Sequence, residues 1–131
     1  VHELHGTLRE VRCQKCGRLR PASTFADETA CEQCGGRIRP AVVLFGEMLP
    51  EEALSESVKL ASSCSLFLVL GSSLTVSPAN MLPEQAKRHG AALYIVNNTP
   101  THLDDLADAV AKASIGEMLA AVDNLLPANV S

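Results

Sequence analysis

Four of the five cysteines form two identical pairs, Cys13-x-x-Cys16 and Cys31-x-x-Cys34, with fourteen residues between the pairs. Each pair places two thiolates on one tight turn, and two such turns complete the tetrahedral shell that a structural zinc ion requires. The spacing is close to that of zinc ribbons. Glycine follows each pair, and a positive φ there would let backbone N–H groups turn toward the sulfurs. The sequence therefore predicts one structural zinc site.

Two other uses of these thiols fit the sequence less well. A thioredoxin-like redox site needs only one C-x-x-C pair, at the start of a helix. A pair of disulfides suits a secreted protein, but no basic segment followed by an apolar one marks a secretory signal at the N-terminus. The fifth cysteine, Cys64, is expected to be a small buried hydrophobic residue. We therefore expect reduced thiols and a cytoplasmic location.

The rest of the chain has the composition of a globular domain with an aliphatic core. Of its 131 residues 47% are hydrophobic, yet it has only three Phe, one Tyr and no Trp. The formal net charge of −4 weighs against a protein that coats nucleic acid. No apolar run approaches the roughly 18 to 20 residues that span a bilayer. The first residue is not Met, so a fragment or a processed product is expected.

The pattern of apolar residues predicts strands that alternate with helices. Strands are expected at 8–13, 66–71, 92–97 and 109–113, and the second and third of these are typical of strands buried on both faces of a parallel sheet. Residues 37–45 are expected to become a buried apolar run. Helices are expected at 48–63, 77–90, 101–108 and 114–126, the last opening with a capping box of Ser114 and Glu117. This alternation after residue 42 predicts βαβ units.

Two of the predicted strands end in residues suited to nucleotide recognition. Residues 71–73 and 97–99 offer hydroxyls, amides and a glycine at the carboxyl ends of strands, where ligands of parallel sheets bind. Ordinary turn chemistry explains each of these ends equally well. The chain has neither the dinucleotide fingerprint G-x-G-x-x-G nor a Walker A loop. About half of a doubly wound sheet is therefore expected.

Six segments occur in one order along the chain. They are "ELHG" at 3–6, the paired cysteines, "RPAVVLFGE" at 39–47, "GSSLTVSPA" at 71–79, "YIVNNT" at 94–99 and "AKAS" at 111–114. Together they resemble the C-terminal part of the sirtuins, the NAD-dependent protein-lysine deacylases, from residue 2 to about residue 126. The family's Gly-Ala-Gly-Ile-Ser phosphate loop and its Gln-Asn-Ile-Asp segment have no counterpart, and the chain begins near the position of the family's catalytic histidine.

The resemblance implies roles for individual residues. His5 matches the general base that helps a ribose hydroxyl react after the acyl-lysine oxygen has displaced nicotinamide, so that the acyl group ends on ADP-ribose. By its sequence context alone, a histidine beside a glycine is more often a turn or surface residue. The residues that match NAD-binding positions are Gly71, Ser72, Ser73, Asn97, Asn98, Thr99 and Ala113. Those that match the edges where a substrate peptide adds as a strand are Val43, Leu44, Phe45, Gly46, Glu47 and Val76.

The sequence thus predicts an α/β fold, with a partial Rossmann-like parallel sheet of about three strands with helices and a small four-cysteine zinc ribbon. The expected parts are a histidine-bearing segment (1–8), the zinc ribbon (9–41), the C-terminal half of an NAD-binding domain (42–126) and a tail (127–131). The expected cofactors are one structural zinc ion and NAD⁺ as co-substrate. The expected partners are an acylated-lysine protein or peptide and either a missing N-terminal half or a second copy, with no membrane.

Two alternatives to a part of a deacylase stay open. A zinc-containing binding or regulatory module could keep the same fold without its chemistry. A zinc-ribbon protein for nucleic acid would need a basic face with aromatic platforms, and the ribbon has only Phe25. On its own the chain is expected to bind NAD at millimolar strength or weaker and to remove no acyl group, because the glycine-rich turn that holds the pyrophosphate is absent.

Overall fold

The fold comes from a computed structural model that describes residues 1–25 and 29–126. The expected tail at 127–131 lies outside the described residues. The chain divides into two compact units, Val1–Ser55 and Glu56–Ser131. The described residues form one three-stranded antiparallel sheet and one three-stranded parallel sheet, which confirms the predicted α/β class. Within the described residues no helix is long and apolar enough to span a membrane.

The first unit contains the antiparallel sheet, in the order β2-β1-β3. Its strands are β1 (Gly6–Cys13), β2 (Leu19–Pro21) and β3 (Ile38–Val42). The predicted strand at 8–13 is confirmed and begins two residues earlier than expected. Val11 and Cys13 of β1 are both buried, because alternate residues of a strand point to the same face. Pro40 fits β3, since an edge strand tolerates a residue that has no N–H to donate.

The predicted buried run at 37–45 is wrong for most of its length. Ile38 is buried, but the rest of β3 is only half-buried, and the strand ends at Val42. Beyond it Leu44 is 54% exposed and Phe45 is fully exposed. The reason is that β3 is the edge strand of the described sheet, and the chain then leaves the sheet as an exposed loop. An apolar run in the sequence does not reveal where this exit occurs.

The second unit contains the parallel sheet, in the order β4-β5-β6. Its strands are β4 (Leu66–Leu70), β5 (Ala92–Val96) and β6 (Ala109–Ala111), so the three predicted parallel strands are confirmed. One face of the sheet packs into an aliphatic core, and a second cluster of buried alanines lies beside it. The buried residues of the core are Val69, Leu74, Leu93, Ile95 and Leu103.

Three helices and two short 3-10 turns complete the described chain. The helices are α1 (Glu51–Ser63), α2 (Met81–Arg88) and α3 (Ile115–Leu125), and the turns are Ala22–Thr24 and Asp104–Leu106. α1 begins at Glu51, directly after Pro50 and three residues later than predicted, and ends at Ser63 as predicted. α2 begins later than predicted and has Pro83 in its first turn, where a missing N–H costs no helical hydrogen bond. The predicted helix at 101–108 is only a 3-10 turn.

Two further expectations about this unit are wrong. Neither β4 nor β5 is buried on both faces, because Leu66, Leu68 and Leu70 of β4 are 39–49% exposed and Tyr94 of β5 is 41% exposed. α2 packs against β4 and β5, whereas α3 leaves an apolar groove of about 290 Å³ along the opposite face. The predicted capping box is also not formed. Ser114 does occupy the N-cap of α3 with an extended backbone, and its carbonyl accepts the first helical bond, but its side chain makes no cap hydrogen bond.

Candidate functional site

The four predicted zinc ligands meet at one point of the first unit. The sulfur atoms of Cys13, Cys16, Cys31 and Cys34 all lie within 4.8 Å of one another. The Sγ–Sγ distance is 3.5 Å between Cys13 and Cys34 and 3.8 Å between Cys16 and Cys31. Zinc bonded to sulfur at about 2.3 Å in a tetrahedron holds neighbouring sulfurs about 3.8 Å apart. The cluster therefore fits one structural zinc ion with no open coordination position.

The two cysteine turns have the same backbone geometry. The N–H of Gly17 donates to the carbonyl of Cys13 at 3.0 Å, and the N–H of Gly35 donates to the carbonyl of Cys31 at 2.8 Å. Both glycines have positive φ, at +74° and +67°, as predicted from their positions after the pairs. Each turn therefore presents its two sulfurs on one side because a glycine allows the chain to fold back immediately behind it.

The thiols of this cluster do not ionise independently. A hydrogen bond from the backbone N–H of Cys16 lowers the pKa of Cys13 to about 6, and a backbone N–H donor also lowers the pKa of Cys31. The N–H of Gly36 acts in the same direction on Cys34, but burial and the three neighbouring sulfurs outweigh it and raise the pKa of Cys34 to about 12. Four adjacent thiolates therefore need a cation, and zinc supplies that charge.

His5 lies just before β1, and its backbone is bonded to the loop that follows β3. Its carbonyl accepts a hydrogen bond from the N–H of Val43 at 2.9 Å, while its side chain is exposed. Gly6 makes this approach feasible, because it has a φ of +75° and a Cβ there would lie 2.1 Å from the carbonyl oxygen of Ala41. Sequence reasoning missed Gly6 because the predicted strand began at residue 8, whereas a glycine marks a close approach of two backbones only once it is known to lie in a strand.

The predicted peptide-binding loop, residues 43–47, is a tight exposed turn. Val43 is half-buried, and the remaining four residues are exposed. The N–H of Glu47 donates to the carbonyl of Leu44 at 3.0 Å, and Gly46 has a φ of +87°. The loop therefore presents main-chain groups together with the apolar side chains of Leu44 and Phe45. Val76, the other predicted peptide residue, belongs to the second unit and is 46% exposed.

In the second unit the predicted NAD-binding residues gather at the carboxyl edge of the parallel sheet. Leu70 pairs with Val96, and Val96 pairs with Ala111, so the three strands end at the same level. The N–H of Gly71 donates to Val96 at 2.9 Å, and the N–H of Asn97 donates to Ala111 at 3.1 Å. The predicted residues that follow these strand ends are Gly71, Ser72, Ser73, Asn97, Asn98, Thr99 and Ala113.

These side chains differ in what they can offer a ligand. Asn97 is buried, and its amide nitrogen donates to the carbonyl of Thr99 at 2.8 Å, so it shapes the turn after β5. Ser72 accepts a hydrogen bond from the N–H of Leu74 at 3.2 Å and shapes the turn after β4. Ser73, Asn98 and Thr99 are exposed. The edge thus combines residues that fix the turns with residues that face solvent.

Two backbone features hold the turn after β4 in place. Gly71 has a φ of +61°, and a Cβ there would lie 2.5 Å from Cδ1 of Ile115, at the start of α3. Leu74 also has a positive φ, of 56°, and its side chain is buried in the sheet core. A leucine rarely adopts this conformation, so its burial offsets the backbone strain. No sequence signal marks Leu74, because its residue type argues against such a turn.

The chain combines a parallel β-sheet that has helices and polar strand ends with a four-cysteine zinc module. These features are those of a Rossmann-like α/β protein that contains zinc. The sequence model of the Sir2 family matches residues 1–78. The chain therefore belongs to the Sir2 family.

Curated relatives and solved structures agree with this assignment. The chain is 57% identical over 120 residues to NAD-dependent protein deacetylase 1 of Geobacillus kaustophilus, covering 91% of this chain and 50% of the relative. It is 48% identical over 125 residues to the NAD-dependent protein deacetylase of Oceanobacillus iheyensis, covering 95% and 53%. A structure of Sir2 with a p53 peptide and NAD⁺ has a TM-score of 0.87 at 37% identity, covering 95% of this chain and 55% of that chain. The chain spans about half the length of the curated relatives it matches.

Proposed function

We propose that this chain is the zinc-containing C-terminal part of an NAD-dependent protein-lysine deacylase. The enzyme would transfer the acyl group from lysine to ADP-ribose and release nicotinamide. The main support is the backbone bond between His5 and Val43, which fixes a histidine beside an exposed loop that offers main-chain groups. The names of the relatives, both NAD-dependent protein deacetylases, support the same reaction.

In this proposal the carboxyl edge of the parallel sheet binds part of NAD⁺. The exposed Ser73, Asn98 and Thr99 offer hydroxyl and amide groups to ribose and phosphate, as strand ends do in related sheets. Gly71 gives the turn that carries Ser73 its positive φ of +61°. Ala113 would lie against the adenine. The similarity to a structure that contains a peptide and NAD⁺ supports this assignment.

The catalytic role falls to His5. A neutral imidazole nitrogen can accept a proton from a ribose hydroxyl, which is the role of a general base. The loop at 43–47 would bind the substrate as an added strand, in which main-chain hydrogen bonds give affinity with little sequence preference. The zinc ion is structural and takes no part in the reaction, since four thiolates fill its shell.

The proposal also includes the organisation and location of the protein. We infer the boundaries given above, with a histidine segment at 1–8, the zinc ribbon at 9–41 and part of an NAD-binding domain at 42–126. A cytoplasmic location follows from the need to keep four zinc-binding thiols reduced.

The test uses this chain extended at its N-terminus by the NAD-binding segment that the sirtuin resemblance predicts. With an acetyl-lysine peptide and NAD⁺, we expect nicotinamide release and deacetylation, measured by mass spectrometry. His5→Ala should reduce turnover by about 10²- to 10⁴-fold, the usual contribution of a general base, without changing the zinc content.

The matched control is His89→Ala at the C-cap of α2, which should keep normal turnover. Near-normal activity of His5→Ala would show that the general-base assignment is wrong. An extended wild-type protein that folds and binds zinc but never consumes NAD⁺ would contradict the proposed function itself.

A further inference from the structure

The loop at 43–47 is held closed by one carboxylate. Oε1 of Glu47 accepts a hydrogen bond from Nη2 of Arg39 at 2.6 Å, and Oε2 accepts one from the N–H of Leu44 at 3.0 Å. The carbonyl of Leu44 in turn accepts from the N–H of Glu47 at 3.0 Å. One carboxylate oxygen is therefore bonded to β3 and the other within the loop, and the two ends of the turn are joined by two separate hydrogen bonds.

Arg39 is the fixed end of this arrangement. Its side chain is 19% exposed, and its Nη1 donates to the carbonyl of Val42 at 3.1 Å. One guanidinium thus bonds both the last residue of β3 and the carboxylate of the loop. Arg39 follows Ile38, which is buried with Cys13 and Cys31. Arg39 therefore links the loop to β3, and the residue before it in this strand, Ile38, belongs to the core of the zinc module.

The charges of the pair support this geometry. The hydrogen bond from Arg39 holds the pKa of the Glu47 carboxyl below its usual value, and the N–H of Leu44 acts in the same direction. Arg12, opposite Arg39 on the neighbouring strand, adds a further cation to this environment. An exposed ion pair generally contributes little, but this one has a largely buried arginine and closes a ring that includes a backbone N–H.

We propose that Arg39 and Glu47 form a clasp that positions the loop at 43–47 for peptide binding, and that Glu47 is a positioning residue which does not contact the peptide. This inference rests on the proposed function. Because each oxygen of Glu47 already accepts a hydrogen bond that holds the loop, we expect the substrate to bind mainly through main-chain groups and the apolar side chains of Leu44 and Phe45. The clasp therefore implies a substrate class defined by an extended backbone, with no preference at this loop for basic residues.

The kinetic test compares two acetyl-lysine peptides, one with neutral and one with basic flanking residues, on the extended protein. Glu47→Gln removes the charge and one of the two carboxylate acceptors. It should raise the KM of both peptides by the same factor, about tenfold, because a misplaced binding loop weakens every extended substrate alike. The value of kcat should stay close to that of the wild type. The control Glu84→Gln breaks a surface pair with Arg88 on α2 and should leave KM unchanged.

A rise in KM for the basic peptide alone would show that Glu47 contacts the substrate and would overturn the proposal. An unchanged KM for both peptides would overturn it as well. Arg39→Met should raise KM like Glu47→Gln, and the double variant should be no worse than either single variant, because each change opens the same clasp. Additive effects of the two changes on KM would contradict a shared role.

A second measurement needs no catalysis and uses the chain as it stands. In Glu47→Gln the amide hydrogen of Leu44 should exchange with solvent faster, while the amides of β1 and the zinc content stay unchanged. Unaltered exchange at Leu44 would overturn the clasp. This result is independent of the reaction, so a failure of the clasp can be distinguished from a failure of the proposed function, which would appear as no NAD⁺-dependent deacylation by the extended wild-type protein.

Discussion

The antiparallel sheet of the first unit and the parallel sheet of the second have the same number of strands but bury different chemistry. In the first unit the buried cluster consists of Val11, Ile38 and two zinc-binding cysteines. In the second unit the main buried cluster consists entirely of aliphatic residues. The comparison indicates that metal binding replaces apolar packing where a segment has too few large side chains to form a core.

The same contrast appears at the surfaces of the two units. In the first unit all four zinc ligands come from two neighbouring turns, so the metal site is complete within that unit. The second unit has a core on one sheet face only, and Leu68, Leu70 and Tyr94 of the other face line an apolar groove with α3. A contiguous apolar face of this kind is typical of surfaces that other protein segments cover. The parallel sheet therefore depends more on what surrounds it than the zinc module does.

The largest expected effect is the loss of the zinc module alone. Cys13→Ala leaves three thiolates, so the chain should retain far less than the one zinc ion expected per molecule, and the amides of β1 to β3 should lose protection, because metal binding and folding are coupled. The amides of β4 and β5 should stay protected. Elemental analysis and hydrogen exchange measure the two effects.

The control for this change is Cys64→Ala, which removes a thiol that is not part of the cluster. It should keep the full zinc content. If Cys13→Ala also abolished the protection of β4 and β5, the two units would not be independently stabilised. The contrast between a unit stabilised by metal and a unit stabilised by aliphatic packing would then be wrong.

The second prediction concerns the aliphatic core of the second unit and should leave the zinc module unchanged. Leu93 is completely buried in the parallel sheet, so Leu93→Ala should destabilise the second unit by about 2–5 kcal/mol through the lost apolar contacts and the cavity left behind. Leu68→Ala on the exposed face is the matched control. It should destabilise the second unit clearly less than Leu93→Ala, since Leu68 is 49% exposed. Both variants should bind zinc like the wild type.

The unfolding of the second unit has its own optical probe. Tyr94 is the only tyrosine, it lies in β5, and the chain has no tryptophan. Thermal unfolding followed by tyrosine fluorescence therefore reports on the parallel sheet. Equal decreases in the free energy of unfolding for Leu93→Ala and Leu68→Ala would mean that both faces of the sheet are packed alike.

The sequence predicted those features that depend on local residue types. The cysteine turns were found because C-x-x-C followed by glycine determines both the ligand geometry and the backbone conformation. The strands β4 and β5 were found because their short apolar runs end in glycine or asparagine. Which face of a strand is covered was not predictable, since the sequence around Leu68 would be the same whether or not another layer of the protein packed on it. The link between Arg39 and Glu47 was missed because it depends on how β3 leaves its sheet.

A third prediction concerns the contact between β1 and β3, where Gly6 has a φ of +75°. Gly6→Ala would force a side chain into that conformation and against the carbonyl of Ala41, and such backbone strain costs of order 1–3 kcal/mol. The amides of Val42 and Val43 should exchange faster, while zinc is retained, because the cysteine turns lie at the other end of β1. Wild-type exchange at Val43 in this variant would show that the close approach does not require glycine.

The smallest effect is expected from a polar contact within the second unit. Both carboxylate oxygens of Asp108 lie 2.6 Å from Nζ of Lys87, and one of them accepts a hydrogen bond from the N–H of Leu93 at 2.8 Å. The bond from Lys87 and then that from Leu93 hold the pKa of Asp108 below its usual value. One carboxylate thus joins the last turn of α2 to the start of β5, at the edge of the aliphatic core.

The sign of the pH dependence follows from this lowered pKa. Because the carboxyl of Asp108 ionises more readily in the folded than in the unfolded chain, where its pKa is about 3.9, it stabilises the fold above that pH. The stabilisation is lost as the pH falls through the still lower pKa of the folded state. Asp108→Asn should therefore lower the melting temperature at pH 7 by a few degrees, and its difference from the wild type should shrink below about pH 4. Lys87→Met keeps the bond to Leu93 and should have a smaller effect. Tyrosine fluorescence isolates this unit from the acid-induced loss of zinc, and a difference that stayed constant down to pH 2 would show that the charge of Asp108 contributes nothing.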